Sequence, residues 1–273
     1  MYNALLEAER LEMDCVQVFT KNQRQWAAPP LKEDDIALWL EHRRSTGIQH
    51  VVSHDSYLIN LASPKRDVRE KSIRLYIDEI ERCEVLDIPH LVMHPGAHLG
   101  IGEEKGLDRI VKAFDRIHQK LPDYRTLTCL EITAGQGTTL GYTLEHLQFI
   151  IENVHEPDRM AVCIDTAHAL AAGYDLTSAA GARGFLKQIG ATIGRDRVKV
   201  LHVNDSKVER GKRVDRHEHI GHGYVDREAF AVLCRAFKSI PKILETPKAE
   251  APDGRPWDTV NIETLQELMK TKR

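Results

Sequence analysis

Two rhythms of apolar residues alternate along the chain. Short, nearly continuous runs occur at Cys15–Phe19, His50–Ser53, Leu91–Met93, Thr126–Leu130, Ala161–Ile164, Val198–Val203 and Lys242–Leu244. Between them the spacing lengthens to that of an amphipathic helix: Ile73, Ile77 and Ile80 fall at i, i+4, i+7, and Leu107, Ile110, Val111, Phe114 and Ile117 draw one stripe. Leu144, Leu147 and Ile151 continue this spacing, as do Phe230 and Leu233. Strands that are apolar throughout suit a sheet covered on both faces, and strand alternating with helix is the signature of parallel βαβ units. The pattern predicts an α/β fold with seven parallel strands, preceded by a helical stretch over Tyr2–Leu11 and followed by a helix around Ile262–Met269. An eight-stranded barrel needs one strand more, and the opening helix has none before it. Either the first strand is absent from this chain or the sheet is open.

The 273 residues, 42% apolar and 29% charged, suffice for one such barrel with a real core. No Pro/Ser-rich linker or low-complexity stretch divides them, which predicts a single domain over 1–273. Lys plus Arg number 38 and Asp plus Glu 41, a net charge of −3, so any nucleic-acid binding must use a local patch rather than a global basic field. The five cysteines, Cys15, Cys83, Cys129, Cys163 and Cys234, are scattered singly, without CxxC spacing. Their odd count argues against a disulfide framework and for a reducing compartment. No basic leader with an apolar core precedes the chain's first helix, and no run approaches ~18 apolar residues, which predicts a cytoplasmic protein without a membrane span.

Candidate chemistry sits at the strand ends. His54 follows Val-Val-Ser, His94 follows Leu-Val-Met, Glu131 follows Leu-Thr-Cys-Leu, Asp165 follows Val-Cys-Ile, His202 lies in Val-Leu-His-Val, and Glu245 follows Lys-Ile-Leu. In a parallel barrel all strand C-termini open on one face, so these six side chains should converge on one cavity. One polar strand end is unremarkable; six in succession, all of metal-ligand type, are not. Three carboxylates among them exclude a His-only zinc site and point to more than one divalent ion, with a carboxylate able to bridge. Imidazole mixed with carboxylate favours zinc first and manganese second. Asp165-Thr-Ala-His168 and Asp215-Arg-His217 could supply a third metal position; alone, each pattern is weak, and its weight comes from lying on the same face.

Other features are less specific. His42, His50, His90, His118, His146 and His155 sit in helices or before strands, where a satisfied histidine is the default, while His98, His219 and His222 remain possible substrate contacts. Thr133-Ala-Gly-Gln-Gly137 and Gly221-His-Gly223 could approach phosphate oxygens through their backbone, or simply turn the chain. Lys21-Asn-Gln-Arg24-Gln-Trp26 and Ser206–Arg213 lie on the same face and could track a phosphate backbone, with Trp26, Tyr57 and Leu58 as wedges into a duplex.

Taken together, His54-Asp-Ser-Tyr-Leu-Ile-Asn60, His94-Pro-Gly-Ala-His98, Glu131 with Thr-Ala-Gly-Gln-Gly, Cys163-Ile-Asp-Thr-Ala-His168, His202-Val-Asn-Asp-Ser-Lys207, Asp215-Arg-His217 and Ile243-Leu-Glu-Thr246 resemble the endonuclease IV family across essentially the whole chain. The resemblance implies a TIM barrel, of (β/α)8 type with seven strands visible, that cuts the phosphodiester 5′ to abasic sites in duplex DNA for base-excision repair and leaves a 3′-hydroxyl. It implies three zinc ions: one on His54, His94 and Glu131; a second on Asp165, His202 and Glu245, with Glu131 as bridge; a third on His168, Asp215 and His217. Glu131 and Glu245 are the residues it marks for catalysis, and Arg24, Tyr57 and Leu58 those that fill the gap left by the flipped nucleotide. Flipping a nucleotide without its base sacrifices less stacking, which is one source of selectivity. The family precedent is a monomer.

The sequence departs from the family pattern in three places. Ile132 stands where asparagine is more frequent and Ala167 where cysteine is common; neither is a ligand, so tuning rather than loss is expected. The strand with which family members begin has no counterpart, through a mis-set translation start or a true truncation, and the gap would leave two ladder edges open. Two alternatives follow: a metal-dependent sugar isomerase or epimerase of the xylose-isomerase-like barrels, which would not need His168, Asp215 and His217, and an inactive truncated homologue.

Overall fold

The computed structural model describes residues 1–270. Seven strands form one all-parallel sheet: β1 (Cys15–Val18), β2 (His50–His54), β3 (His90–Met93), β4 (Leu127–Glu131), β5 (Met160–Asp165), β6 (Val198–His202) and β9 (Lys242–Ile243), hydrogen-bonded in that order. Helix α1 (Asn3–Arg10) precedes β1 and α9 (Trp257–Lys270) follows β9; between the strands lie α2 (Glu33–Ser45), α3 (Arg66–Val85), α4 (Glu103–Lys120), α5 (Leu144–Asn153), α6 (Thr166–Ala172), α7 (Ala179–Thr192) and α8 (Arg227–Ala236). A two-stranded antiparallel pair, β7 (Asp205–Ser206) and β8 (His217–Glu218), projects from the end of β6. The seven predicted strands are present within a residue or two of their expected bounds. The helices α2, α6 and α7 lay outside the predicted stripes. In α2 only Trp39 is fully buried, with Ile36 and Leu40 packed half-exposed beside it, so its apolar stripe spans little more than one turn.

Two core layers explain why the strands read as continuous apolar runs. Val52, Val92, Cys129, Ala161, Cys163, Val200 and Ile243 fill the inside of the curved sheet. Bulkier residues on its outer face, such as Leu91, Leu130, Ile164 and Leu201, pack with the helix stripes Ile73–Ile80, Ile110–Ile117 and Phe230–Leu233. Side chains alternate faces along a strand, so the residue two positions beyond an inner one points inward again. That rule aims His54 after Val52, His94 after Val92, Glu131 after Cys129, Asp165 after Cys163, His202 after Val200 and Glu245 after Ile243 at one mouth.

The sheet is nearly closed. Among the described residues β1 and β9 share no ladder; instead the Cys15 thiol donates to the Lys242 carbonyl at 3.3 Å and the Gln17 amide donates to Glu245 at 2.7 Å. A cavity of about 1510 Å³ runs from this seam, past α1, α8 and α9, to the strand ends carrying the histidines and acids. No helix among the described residues is long and apolar enough to cross a membrane.

Candidate metal centre

All nine residues expected to bind metal meet at the mouth of the barrel. Glu131, fully buried at the end of β4, is the hub: its carboxylate lies 3.2 Å from His54 Nε2, 3.5 Å from His94 Nε2, 3.0 Å from His168 Nδ1 and 3.2 Å from His202 Nδ1. His202 Nδ1 is also 3.1 Å from Glu245 and 3.9 Å from Asp165. Three groups have ligand atoms all within 4.8 Å of one another: His54, His94 and Glu131; Glu131, Asp165, His202 and Glu245; and Asp165, His168 and His217. Asp215 joins the last of these through a 3.1 Å contact with His168 Nε2. A fourth combination sets Cys163 with Glu131 and His202, but burial pushes that thiol up to about 12, against the pull of His202, which keeps it protonated.

Local structure sets the third group. Asp165 ends β5 and caps α6, its Oδ1 accepting from the backbone N–H of His168 at 2.7 Å. A cap of this kind fixes the first helical turn, so Asp-x-x-His places both side chains on one side of the barrel mouth. Asp215 and His217 arrive from the loop that ends in β8, and Asp205 steadies the return of that loop. Its buried carboxylate accepts from the backbone N–H groups of Ser206, Gly221, Gly223 and Val225, each at 2.8 or 2.9 Å. Gly223 has to be glycine there, because a Cβ would collide with the Ser206 carbonyl oxygen. On the opposite rim Asn60 ties the loops after β2 and β3, accepting from the Ala62 and Ala97 N–H groups and donating to the Ala97 carbonyl, all at 3.0 Å.

The tautomers decide what the centre can hold. A carbonyl oxygen only accepts, so a ring nitrogen facing one must carry the proton. His54 Nδ1 faces the Asp55 carbonyl at 3.0 Å, His168 Nδ1 the Ile132 carbonyl at 3.0 Å, and His217 Nδ1 the Glu245 carbonyl at 3.3 Å. Each therefore turns Nε2 toward the acids; those of His168 and His217 face each other at 3.3 Å beside Asp215. Imidazoles anchored at one nitrogen, with the other converging on carboxylates, form the arrangement that orients ligands for a cation. No lysine or arginine among the described residues forms an ion pair with Glu131, Asp165 or Glu245.

Electrostatics agree. Burial raises the pKa of Glu131, yet His202, His94 and His168 outweigh it and leave the carboxyl well below its ordinary range. Burial likewise opposes ionisation of Glu245, but His202 holds it at about 2. His168 moves the other way: burial lowers it, and Asp165, Asp215 and Glu131 drive it well above the usual histidine value. The donor set, mixed imidazole and carboxylate, fits zinc or manganese better than magnesium or calcium.

The residues singled out for DNA are less gathered. Tyr57 is 64% exposed and stands over the centre, its ring 5.6 Å from His54 and 6.5 Å from His94. Leu58 is half-buried beside it, and Arg24 is exposed on the loop after β1, where its backbone N–H bonds the Asn22 side chain. His219 stacks on Trp257 with ring centroids 3.8 Å apart and bonds Asn261, so its role is to pin α9, and His98 accepts from its own turn. Sequence reasoning missed Gln17, which reads as an ordinary strand residue between Val16 and Val18, and Asn204, whose side chain bonds the Asp165 carboxylate at 2.6 Å and the Glu245 N–H at 2.7 Å.

A family description for xylose isomerase-like TIM barrels matches residues 5–270. A probable endonuclease 4 from Chloroflexus aggregans is 45% identical over 264 residues, 96% of this chain and 91% of that protein. One from Geobacter sulfurreducens is 43% identical over 274 residues, covering 100% and 92% of the two chains. Among solved structures, endonuclease IV from Thermus thermophilus superposes with a TM-score of 0.84 at 30% identity, over 98% of this chain and 94% of that one. A D-tagatose 3-epimerase-like protein shares the fold at a TM-score of 0.71 but only 21% identity. With this identity spread over nearly the full length of both partners, the chain belongs to the endonuclease IV family of xylose isomerase-like TIM barrels.

Proposed function

We propose that the protein is a DNA-repair endonuclease that hydrolyses the phosphodiester 5′ to abasic sites in duplex DNA, leaving a 3′-hydroxyl, with three divalent ions at the barrel mouth. The observation that carries this reading is the convergence of nine side chains of metal-ligand type, four of whose five histidines are oriented through a second hydrogen bond. His54, His94 and Glu131 would hold one ion, Glu131, Asp165, His202 and Glu245 a second, and His168, Asp215 and His217 a third. Zinc is the first choice and manganese the second. When bound, such ions supply the positive charge that phosphodiester hydrolysis needs, so no side chain has to act as a general acid with a tuned pKa.

The chain's own residues do the rest. Glu131 and Glu245 are assigned to the catalytic centre as carboxylates kept ionised by the surrounding imidazoles. Lys207 and Arg216 line the same cavity and offer local positive charge to a phosphate backbone, which the net charge of −3 does not. Tyr57 stands where it can fill a gap in the duplex, and Leu58 and Arg24 extend that rim. Residues 1–273 then act as one nuclease domain, monomeric and cytoplasmic.

The test is incision of a duplex bearing one abasic-site analogue, with metal content determined on the same sample. Cleavage 5′ to the lesion with about three ions per chain is the expected result. Metal-loaded protein that leaves the lesion intact would move the assignment to the epimerase class; metal-free protein without activity would mark an inactive homologue. Replacing His217 with alanine should abolish incision, and undiminished activity would sink the third position.

A further inference from the structure

A second hydrogen-bond partner at one ring nitrogen orients a histidine so that the other can serve as ligand. For His54, His168 and His217 the tie is a backbone carbonyl. His202 differs: its Nε2 lies 2.8 Å from Gln17 Oε1, a side chain on β1. The same amide donates from Nε2 to Glu245 Oε1 at 2.7 Å. The amide lies with its nitrogen toward the Glu245 carboxylate, which accepts, and its oxygen toward His202. The oxygen can only accept as well, so His202 carries its proton on Nε2. Its Nδ1 then points at Glu131, Glu245 and Asp165, at 3.2, 3.1 and 3.9 Å. Gln17 also follows the inward alternation of the sheet: Cys15, two residues before it, packs on the inner layer, as does the residue two places before each of the six strand-end side chains. Thus β1 places a neutral amide inside where the other strands place a histidine or an acid.

We propose that Gln17 is a positioning residue: it locks His202 in the Nε2–H tautomer and orients the Glu245 carboxylate, so that the two present Nδ1 and Oε2 to one shared divalent cation. This rests on the metal reading given above and deepens it. Outer hydrogen-bond partners that orient a metal-binding histidine typically change metal affinity by about 10–100-fold when removed. Leucine at position 17 fills nearly the same volume and makes neither hydrogen bond. Glutamate keeps the acceptor for His202 and replaces the donor facing Glu245 with a second carboxylate.

The experiment compares zinc affinity by chelator competition, and the nitrogen resonances of His202 in zinc-loaded protein, for the wild type, Gln17→Leu and Gln17→Glu. Gln17→Leu should weaken one of the bound ions by about 10–100-fold and expose the His202 Nε2–H to faster exchange, while the more distant ions keep their affinity. Gln17→Glu should retain the Nε2–H tautomer, which a merely space-filling role would not predict, and it reads the same coupling if the leucine variant does not fold. A wild type that takes up no zinc overturns the metal reading and this inference together. A zinc-loaded wild type matched by Gln17→Leu in affinity and in the His202 resonances overturns the role of Gln17 alone.

Discussion

Asp205 never reaches the metal centre, yet its replacement by asparagine should cost one metal ion. The carboxylate spreads four backbone N–H groups over two oxygens: Oδ1 takes Ser206 and Val225, Oδ2 takes Gly221 and Gly223. An amide of the same shape keeps one oxygen and points an NH2 group at two donors that have nowhere else to turn. Each buried donor left unmatched costs about 1–3 kcal/mol, so the substitution should cost about 2–6 kcal/mol. Because β7 pairs Ser206 with His217, that cost falls on the loop presenting Asp215 and His217 rather than on the barrel. Hydrogen exchange at the amides of Gly221, Gly223 and Val225 should accelerate while strand amides stay protected, and zinc per chain should fall by one. Unchanged protection at those three amides, or full zinc content, would refute the assignment of Asp205 as the clamp of this loop.

Three further outcomes follow from the same structure. Glu131→Gln removes the charge that faces four histidines, so zinc content should fall at both positions it serves and incision should drop below detection; a fully loaded variant would show that Glu131 is no bridge. His118, buried in α4, is pushed down from 6.5 to about 4 by burial, with the charge of Arg159 adding to it. The unfolded chain then binds the proton first, so stability is lost as pH falls from about 6.5 and levels off below about 4; His118→Leu should flatten that part of a urea-midpoint profile measured with chelator present. Amides of β1 and β9, which have a ladder on one side each, should exchange faster than those of β4 and β5, and equal protection across the sheet would contradict an open seam.

What the sequence made legible was what depends on periodicity. The gathering of six of the proposed ligands at one mouth was readable because a parallel strand has one end facing the site, and an alternating strand sends every second residue inward. The Asp215–His217 pair had no such frame: its position depends on a loop that returns to the barrel mouth, so its spacing offered a third metal position only weakly, and the resemblance gave it a definite role. Gln17 was invisible for a different reason. Between Val16 and Val18 it matches a half-exposed strand, and its inward direction becomes meaningful only once β1 lies opposite Glu245. Asn204 and Asp205 stood in view inside a long motif, but their work is hydrogen bonding to backbone and carboxylate groups distant in sequence, which no spacing encodes. The helix α2 escaped because its stripe is short: Trp39, bonded through its indole N–H to the Leu86 carbonyl at 2.8 Å, is its one fully buried residue, with Ile36 and Leu40 half-exposed beside it.

The seam and the site constrain each other. A closed parallel sheet has ladders on both sides of every strand, and among the described residues β1 and β9 each lack one. Every ligand comes from β2 to β6, from the end of β9 or from the loop behind β7, so the break in the ladder lies beside the ligand set rather than through it. Glu245 is the ligand nearest the break, and β9 is only two residues long. Its backbone is held from the β6 side, where Asn204 Oδ1 accepts from its N–H at 2.7 Å and its carbonyl takes His217 Nδ1–H at 3.3 Å. Its carboxylate is held from the other side of the break, by Gln17 at 2.7 Å. At this one point, side chains do what the ladder does elsewhere. The amide that completes the site therefore also spans the seam, bonding both Glu245 and His202 from β1, and a barrel that opened there would release Glu245 and the His202 tautomer in the same motion.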